Sequence, residues 1–187
     1  MKSEDFITSD THFGHANIIK YSNRPFASLE EMDRELIARW NAKVPKNAVV
    51  YHLGDFALAL PDRVHEILRQ LNGRIRLLWG NHDRVLRKDK TLQGYFEWIK
   101  DYYESKTPDG TKVIMCHYAF HVWNQHHHGS WNLHGHSHGS LKDEGIRRLD
   151  VGVDTHPNYE PYSFAEIEAK MAKKSIRRVD HHRENGL

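Results

Sequence analysis

Ala48-Val49-Val50-Tyr51-His52-Leu53-Gly54-Asp55 is the stretch on which the fold turns. Its apolar run, Ala48 to Leu53, is too short for a buried helix and fits a strand covered on both faces. Gly54 stops the run and leaves the carboxylate of Asp55 at the strand's C-terminal end. Upstream, Phe6 to Thr8 reads as a shorter first strand that ends in Ser9 and Asp10. Between the two, Ser28 and Glu31 form a capping box, and Leu29, Met32, Leu36, Ile37 and Trp40 recur at helical spacing. The spacing predicts a helix of about three to four turns. Downstream, Pro61 suits a helix start, and Val64, Ile67, Leu68 and Leu71 continue the helix to Gly73. Arg74 to Trp79 is a third strand, ending at Gly80.

The second half changes character. Phe96, Trp98 and Tyr102 read as one aromatic strand, Pro108-Asp109-Gly110 as a turn, and Lys112 to Cys116 as the returning strand, ending at His117. Trp131 to Leu133 and Arg147 to Val153 are further short strands. Ser163 with Glu166 caps a helix through Phe164, Ile167 and Met171. Strands alternate with helices early and hairpin-like strands dominate late. The expectation is therefore an α/β sandwich of two sheets packed face to face with helices outside. One domain over 1–187 is expected, with a core of about 5–172 and a loose basic tail at 173–187.

Composition narrows the class. No apolar run approaches the roughly 18 residues of a membrane span. The stretch Met1 to Phe6 carries Lys2, Glu4 and Asp5 and lacks the apolar character of a secretory signal. The single cysteine, Cys116, excludes an internal disulfide and fits a reducing cytoplasm, the expected location. A net charge of +2 is too weak to argue for a nucleic-acid partner by itself. The unusual count is 16 histidines in 187 residues, so their positions matter.

Those positions cluster at the C-terminal ends of the expected strands. The ends carry Asp10-Thr11-His12, Gly54-Asp55, Gly80-Asn81-His82-Asp83, His117, and Gly135-His136-Ser137-His138. Ligands in α/β folds gather at such ends, where loops converge on rigid supports. Asp-x-His and His-x-His pairs can converge on one ion where the loop turns, and Gly54, Gly80 and Gly135 permit tight turns and close backbone approach. Carboxylates, imidazoles and one carboxamide together point to manganese, iron, zinc or nickel.

In order and kind, these five motifs resemble those of the calcineurin-like metallophosphoesterase superfamily. The opening Thr8-Ser9-Asp10-Thr11-His12-Phe13-Gly14-His15, with Asn23-Arg24-Pro25-Phe26 after it, resembles a small stand-alone bacterial and phage branch. The resemblance implies a four-layer α/β/β/α sandwich of two mixed sheets flanked by helices. It implies two divalent ions, Mn²⁺ first and Fe, Zn or Ni as alternatives. Asp10, His12 and His138 would hold one ion, Asn81, His117 and His136 the other, and Asp55 would bridge them. His82 would sit over the substrate phosphate, with Asp83 orienting its ring, while a hydroxide bridging the ions attacks phosphorus. His15, Asn17, Arg24 and Arg84 are candidate substrate contacts.

Other conspicuous residues read more plainly. His126, His127 and His128 precede Gly129 and read as an exposed loop, and His181 and His182 as solvated. His134 reads as packing or as a hydrogen-bonding neighbour of the ligands, and Trp123, Trp131 and Tyr118 as core before base-stacking groups. The superfamily's protein Ser/Thr phosphatases continue the second motif with Asp-Arg. Here Asp55 is followed by Phe56-Ala57, which disfavours that activity. The expected function is a binuclear metal-dependent phosphodiesterase of nucleotides, cyclic nucleotides or nucleic-acid ends. The alternatives are a phosphomonoesterase of a small metabolite or nucleotide and a catalytically silent metal-binding scaffold. The expected partner is a phosphate ester, nucleotide or nucleic acid among the options, with no membrane and with a homodimer left open.

Overall fold

The computed structural model describes residues 1–177. Strands β1 (Phe6–Thr8), β2 (Val49–His52), β3 (Arg74–Leu78) and β4 (Phe96–Lys100) run parallel, and β9 (Tyr162–Ser163) pairs antiparallel with β1. The sheet order is β4-β3-β2-β1-β9. A second sheet, ordered β5-β6-β7-β8, comprises β5 (Tyr102–Lys106), β6 (Lys112–Cys116), β7 (Trp131–His134) and β8 (Arg148–Asp150). The protein is thus an α/β structure of two mixed sheets flanked by helices.

Alternation along the strands builds two cores. Val50, Ile75 and Leu77 face one way, into a cluster with Met32, Leu36 and Trp40 of α2 (Leu29–Lys43) and Val64, Ile67 and Leu68 of α3 (Pro61–Gln70). Ile7, Val49, Tyr51 and Leu78 face the other way, against Val113, Met115 and Leu133 of the second sheet. Successive side chains of a strand point to opposite faces, so a strand covered on both sides reads as one apolar run. This is why Ala48 to Leu53 lacks polar alternation. Phe164, Ile167 and Met171 of α6 (Phe164–Met171) close the inter-sheet core. The outer face of the second sheet buries Ile114 under Trp123 and Ile146.

The caps act as expected, with one difference. Ser163 and Glu166 make the reciprocal box, whereas at α2 the Ser28 side chain accepts from the Glu31 N–H while Glu31 reaches back to the N–H of Ala27. Pro61 occupies the first turn of α3, where its missing N–H costs nothing.

Several expectations are corrected. The aromatic segment expected as one strand is two, one in each sheet, divided at the exposed Asp101. Trp98 and Tyr103 nevertheless both pack on Tyr51, so the aromatic character reports the wedge between the sheets and not one strand. Only β5 and β6 form a hairpin; β6, β7 and β8 are parallel. The strand expected to reach Val153 ends at Asp150, and a 3-10 turn follows at Val153–Thr155. Short elements went unanticipated, namely α1 (Ala16–Tyr21), α4 (Arg84–Lys88), α5 (Lys90–Gln93) and β9. The described start of the tail is not loose, because Ser175 bridges Ile146 and Lys174 pairs with Asp143 at 2.7 Å; the rest of the expected tail lies outside the described residues. The expectations for His181 and His182 lie outside the described residues. Among the described residues, no helix is long and apolar enough to cross a membrane.

Candidate metal centre

The strand ends of both sheets meet in one place. Asp10 and His12 follow β1, Asp55 follows β2, and Asn81, His82 and Asp83 follow β3; His117 follows β6, and His136 and His138 follow β7. Two ligand trios result, Asp10 with His12 and His138, and Asp55 with His117 and His136, each with donor atoms within 4.8 Å of one another. Asn81 joins the second trio, its Oδ1 lying 3.0 Å from His117 Nε2.

Asp55 stands between the trios. Its Oδ2 lies 3.5 Å from His12 Nε2 and 3.4 Å from His117 Nε2. Its Oδ1 accepts the backbone N–H of His82 at 2.7 Å. One oxygen therefore faces both trios and the other holds the neighbouring loop.

The backbone is strained where the ligands sit. Of the eight non-glycine residues with positive φ among those described, five are Asp10, His12, Asp55, His136 and His138. Such conformations cost about 1–3 kcal/mol each and persist where the surroundings over-determine them, which is often at functional sites. They turn alternate side chains of Asp-x-His and His-x-His inward. Glycines admit the close approach, since a Cβ on Gly80 would overlap the Asp55 carboxylate and one on Gly135 would overlap that of Asp10.

Hydrogen bonds set the ring orientations. His117 Nδ1 lies 2.8 Å from the Leu53 carbonyl, and donation there leaves Nε2 free to act as a ligand. His138 Nδ1 lies 2.7 Å from Asp154 Oδ2 and 3.2 Å from Ser22 Oγ, with its Nε2 toward Asp10. The His136 N–H donates to both Asp10 oxygens, at 3.1 and 2.9 Å.

No protein-family model matches the chain. Over 181 residues the chain is 34% identical to the uncharacterized protein MJ1445 of Methanocaldococcus jannaschii, an alignment covering 93% of this chain and 94% of the relative. The chain belongs to the family of that archaeal protein. It is also 30% identical over 180 residues to the Gene 66 protein of Mycobacterium phage D29, covering 81% of this chain and 88% of the relative. Among solved structures it resembles the protein of unknown function AQ665 from Aquifex aeolicus, with a TM-score of 0.68 and 26% identity over 88% of this chain and 97% of that one.

In this family member the centre is electrostatically unbalanced. Burial pushes the Asp10 carboxyl up to about 7, against the pull of His117 and His138. Burial pushes His12 down to about 2, opposed by Asp55. Burial also disfavours ionised Asp55, yet the hydrogen bond and charge of His117 and the His82 N–H hold it at about 2. Both ring nitrogens of His12 are buried without a hydrogen-bond partner. A buried donor left unpaired costs about 1–3 kcal/mol, and a bound cation would satisfy a lone pair there and offset Asp10 and Asp55 together. The donor set fits divalent metal ions.

Several expected roles are corrected. Asp83 does not orient the His82 ring. Its carboxylate is buried and accepts the N–H groups of Asp55, Phe56 and Gly80 at 3.0, 2.8 and 2.7 Å, bracing the loop that carries Asp55. Arg24 is no substrate contact. It is buried, pairs with Asp154 through two nitrogens, and donates to the Asp10 and Thr11 carbonyls at 2.6 and 2.9 Å. The His126–His128 segment is a short 3-10 turn in which His126 is buried and stacks on Trp123, with ring centroids 3.8 Å apart.

The remaining candidates divide. His15 and His82 line a cleft of about 410 Å³ over the trios, whereas Asn17 and Arg84 are exposed and outside its lining. His134 is buried, with Nδ1 2.9 Å from the Gly135 carbonyl. Tyr118 is not core, since it stands beside His117 and His136. Asp154 was missed, although it follows directly on the expected strand Arg147 to Val153, and the strand-end rule that found the other ligands would have flagged it. A third group, His156, Glu160 and Glu166, has metal-ligand spacing. The Lys43 ammonium already fills it, at 2.9 Å from Glu160 and 2.7 Å from Glu166.

Proposed function

We propose that the chain is a metal-dependent phosphoesterase, a phosphodiesterase before a phosphomonoesterase, on the four-layer α/β/β/α sandwich. The observation that carries this reading is the buried, unpartnered imidazole of His12 between two strained carboxylate loops. Asp10, His12 and His138 would hold one ion and Asn81, His117 and His136 the other, with Asp55 shared through Oδ2. Two divalent ions, manganese first and iron, zinc or nickel as alternatives, supply Lewis acidity that activates water and neutralises phosphoryl charge.

The chain's own residues supply the rest. Asp83 and the His82 N–H fix Asp55, while the His82 ring faces the cleft, free to hand a proton to a leaving oxygen. His15 and Ser22 line the first-trio side and Ser137 the loop opposite. Among the described residues that line this cleft there is no Lys or Arg. Without a guanidinium or ammonium there, the ions alone must offset the substrate's charge, and a diester with its single charge makes the smaller demand than a monoester dianion. That supports diester cleavage. The test is turnover of bis-p-nitrophenyl phosphate against p-nitrophenyl phosphate with manganese. Preferential diester cleavage is expected; monoester preference would assign a phosphatase, and inertness toward every ester with both ions bound would leave a scaffold.

A further inference from the structure

Two exposed tyrosines bracket the centre. Tyr21, the last residue of α1, lines the cleft at 75% exposure, and Tyr118, directly after His117, is 46% exposed. Between them lie two runs of rings that meet at the Asp55 carboxylate. Tyr21 stands edge-on to His15 with centroids 6.3 Å apart, and His15 lies 5.6 Å from His12. His12 and His117 flank Asp55 Oδ2, and Tyr118 lies 5.0 Å from His117 and 4.9 Å from His136. One tyrosine thus stands beside the first trio, in the cleft, and the other beside the second, just outside the cleft lining. Trp123 and Trp131, the other aromatic candidates, are buried and unavailable.

Resting on the phosphoesterase reading, we infer that the substrate is an internucleotide phosphodiester whose two bases stack on Tyr21 and Tyr118. A diester has one organic group on each side of phosphorus. A centre with an exposed aromatic ring beside each trio matches a planar group at each end. Aromatic faces take any base, because every base presents a π-face. The lack of Lys and Arg in the cleft lining agrees with a single charge at the scissile phosphorus. A cyclic nucleotide brings one base and engages one tyrosine only, so it is the poorer substrate.

The full chain loaded with manganese is assayed on a dinucleoside monophosphate, a cyclic nucleotide, and glycerophosphocholine, a diester without planar groups. Tyr21→Ala and Tyr118→Ala are each expected to raise KM for the dinucleotide about tenfold, the loss that one base–aromatic stack implies. Tyr→Phe at either position restores it, and KM for glycerophosphocholine is unchanged. An unchanged dinucleotide KM, or equal losses on the ring-free diester, overturns the inference while leaving the phosphoesterase reading intact. A dinucleotide containing 2-aminopurine separates the two readings, because stacking quenches its fluorescence without turnover. Quenching by the wild type that is lost in the alanine variants supports stacking even if no ester is cleaved, and no quenching overturns it.

Discussion

The Asp83 carboxylate accepts the backbone N–H of Asp55 at 3.0 Å, so the third motif holds the second in place. The bracing runs both ways, since Asp55 Oδ1 accepts the N–H of His82, the residue before Asp83. Asp55 and the backbone of His82 are thereby fixed by one short circuit of charge-assisted bonds.

Asp83→Asn turns an amide NH₂ toward N–H donors and breaks this circuit. It is expected to cost about 1–3 kcal/mol of stability and to weaken metal binding, read by thermal melting and by metal analysis. His82→Ala is expected to keep both ions and to slow turnover of esters with poor leaving groups by about 10²–10⁴-fold. If the two variants behaved alike, the separation of bracing from proton transfer would be wrong.

The second prediction concerns pH. Burial raises Asp10 to about 7 in the metal-free protein, well above its ordinary 3.8, so at lower pH the carboxyl keeps its proton. An incoming cation must displace that proton. Affinity is therefore expected to fall by at least tenfold per pH unit below about 7, because His117 and His138, whose protonated forms burial opposes but the neighbouring carboxylates favour, must shed protons as well. Manganese titrations on both sides of neutrality measure this, and a flat profile through the acid range would contradict it.

Asp154 orients His138 while neutralising the buried Arg24. Asp154→Asn is expected to weaken the Asp10 trio's ion by about 10–100-fold and to spare the ion at His117. Equilibrium dialysis should find one tight ion in place of two. Two ions at wild-type affinity would remove Asp154 from the centre.

His136 sits at φ 67°, in the left-handed region. A Cβ is penalised there and glycine is not, so His136→Gly should exceed His136→Ala in stability by about 1 kcal/mol. Both variants are expected to weaken cation binding at the His117 trio. Denaturant midpoints compare them, and a reversed order would mean that the loop relaxes.

The clustering of the candidate ligands was legible because each ends a strand and strand ends are readable from apolar runs: Asp55 after Ala48–Leu53, and His117 after Lys112–Cys116. The helices were legible where caps and periodicity coincide, as at Ser28 and Ser163. What escaped depends on space and not on spacing. Arg24 and Asp154 lie 130 residues apart and meet only when the loop after α1 packs beneath Asp10. The roles of Asp83 and Tyr118 likewise follow from which backbone amides and rings surround them. Helix α1, with one buried residue, left too faint a pattern to read.

Each trio draws on both sheets: Asp10 and His12 against His138, and Asp55 against His117 and His136. Ions held there would rivet two layers already joined by apolar contact and by the bonds of His117 to the Leu53 carbonyl and of the His136 N–H to Asp10. Stripping them with a chelator is expected to speed trypsin cleavage and amide exchange along the seam, and identical rates with and without metal would refute the rivet. A protein built this way would couple its own lifetime to the metal supply of its host.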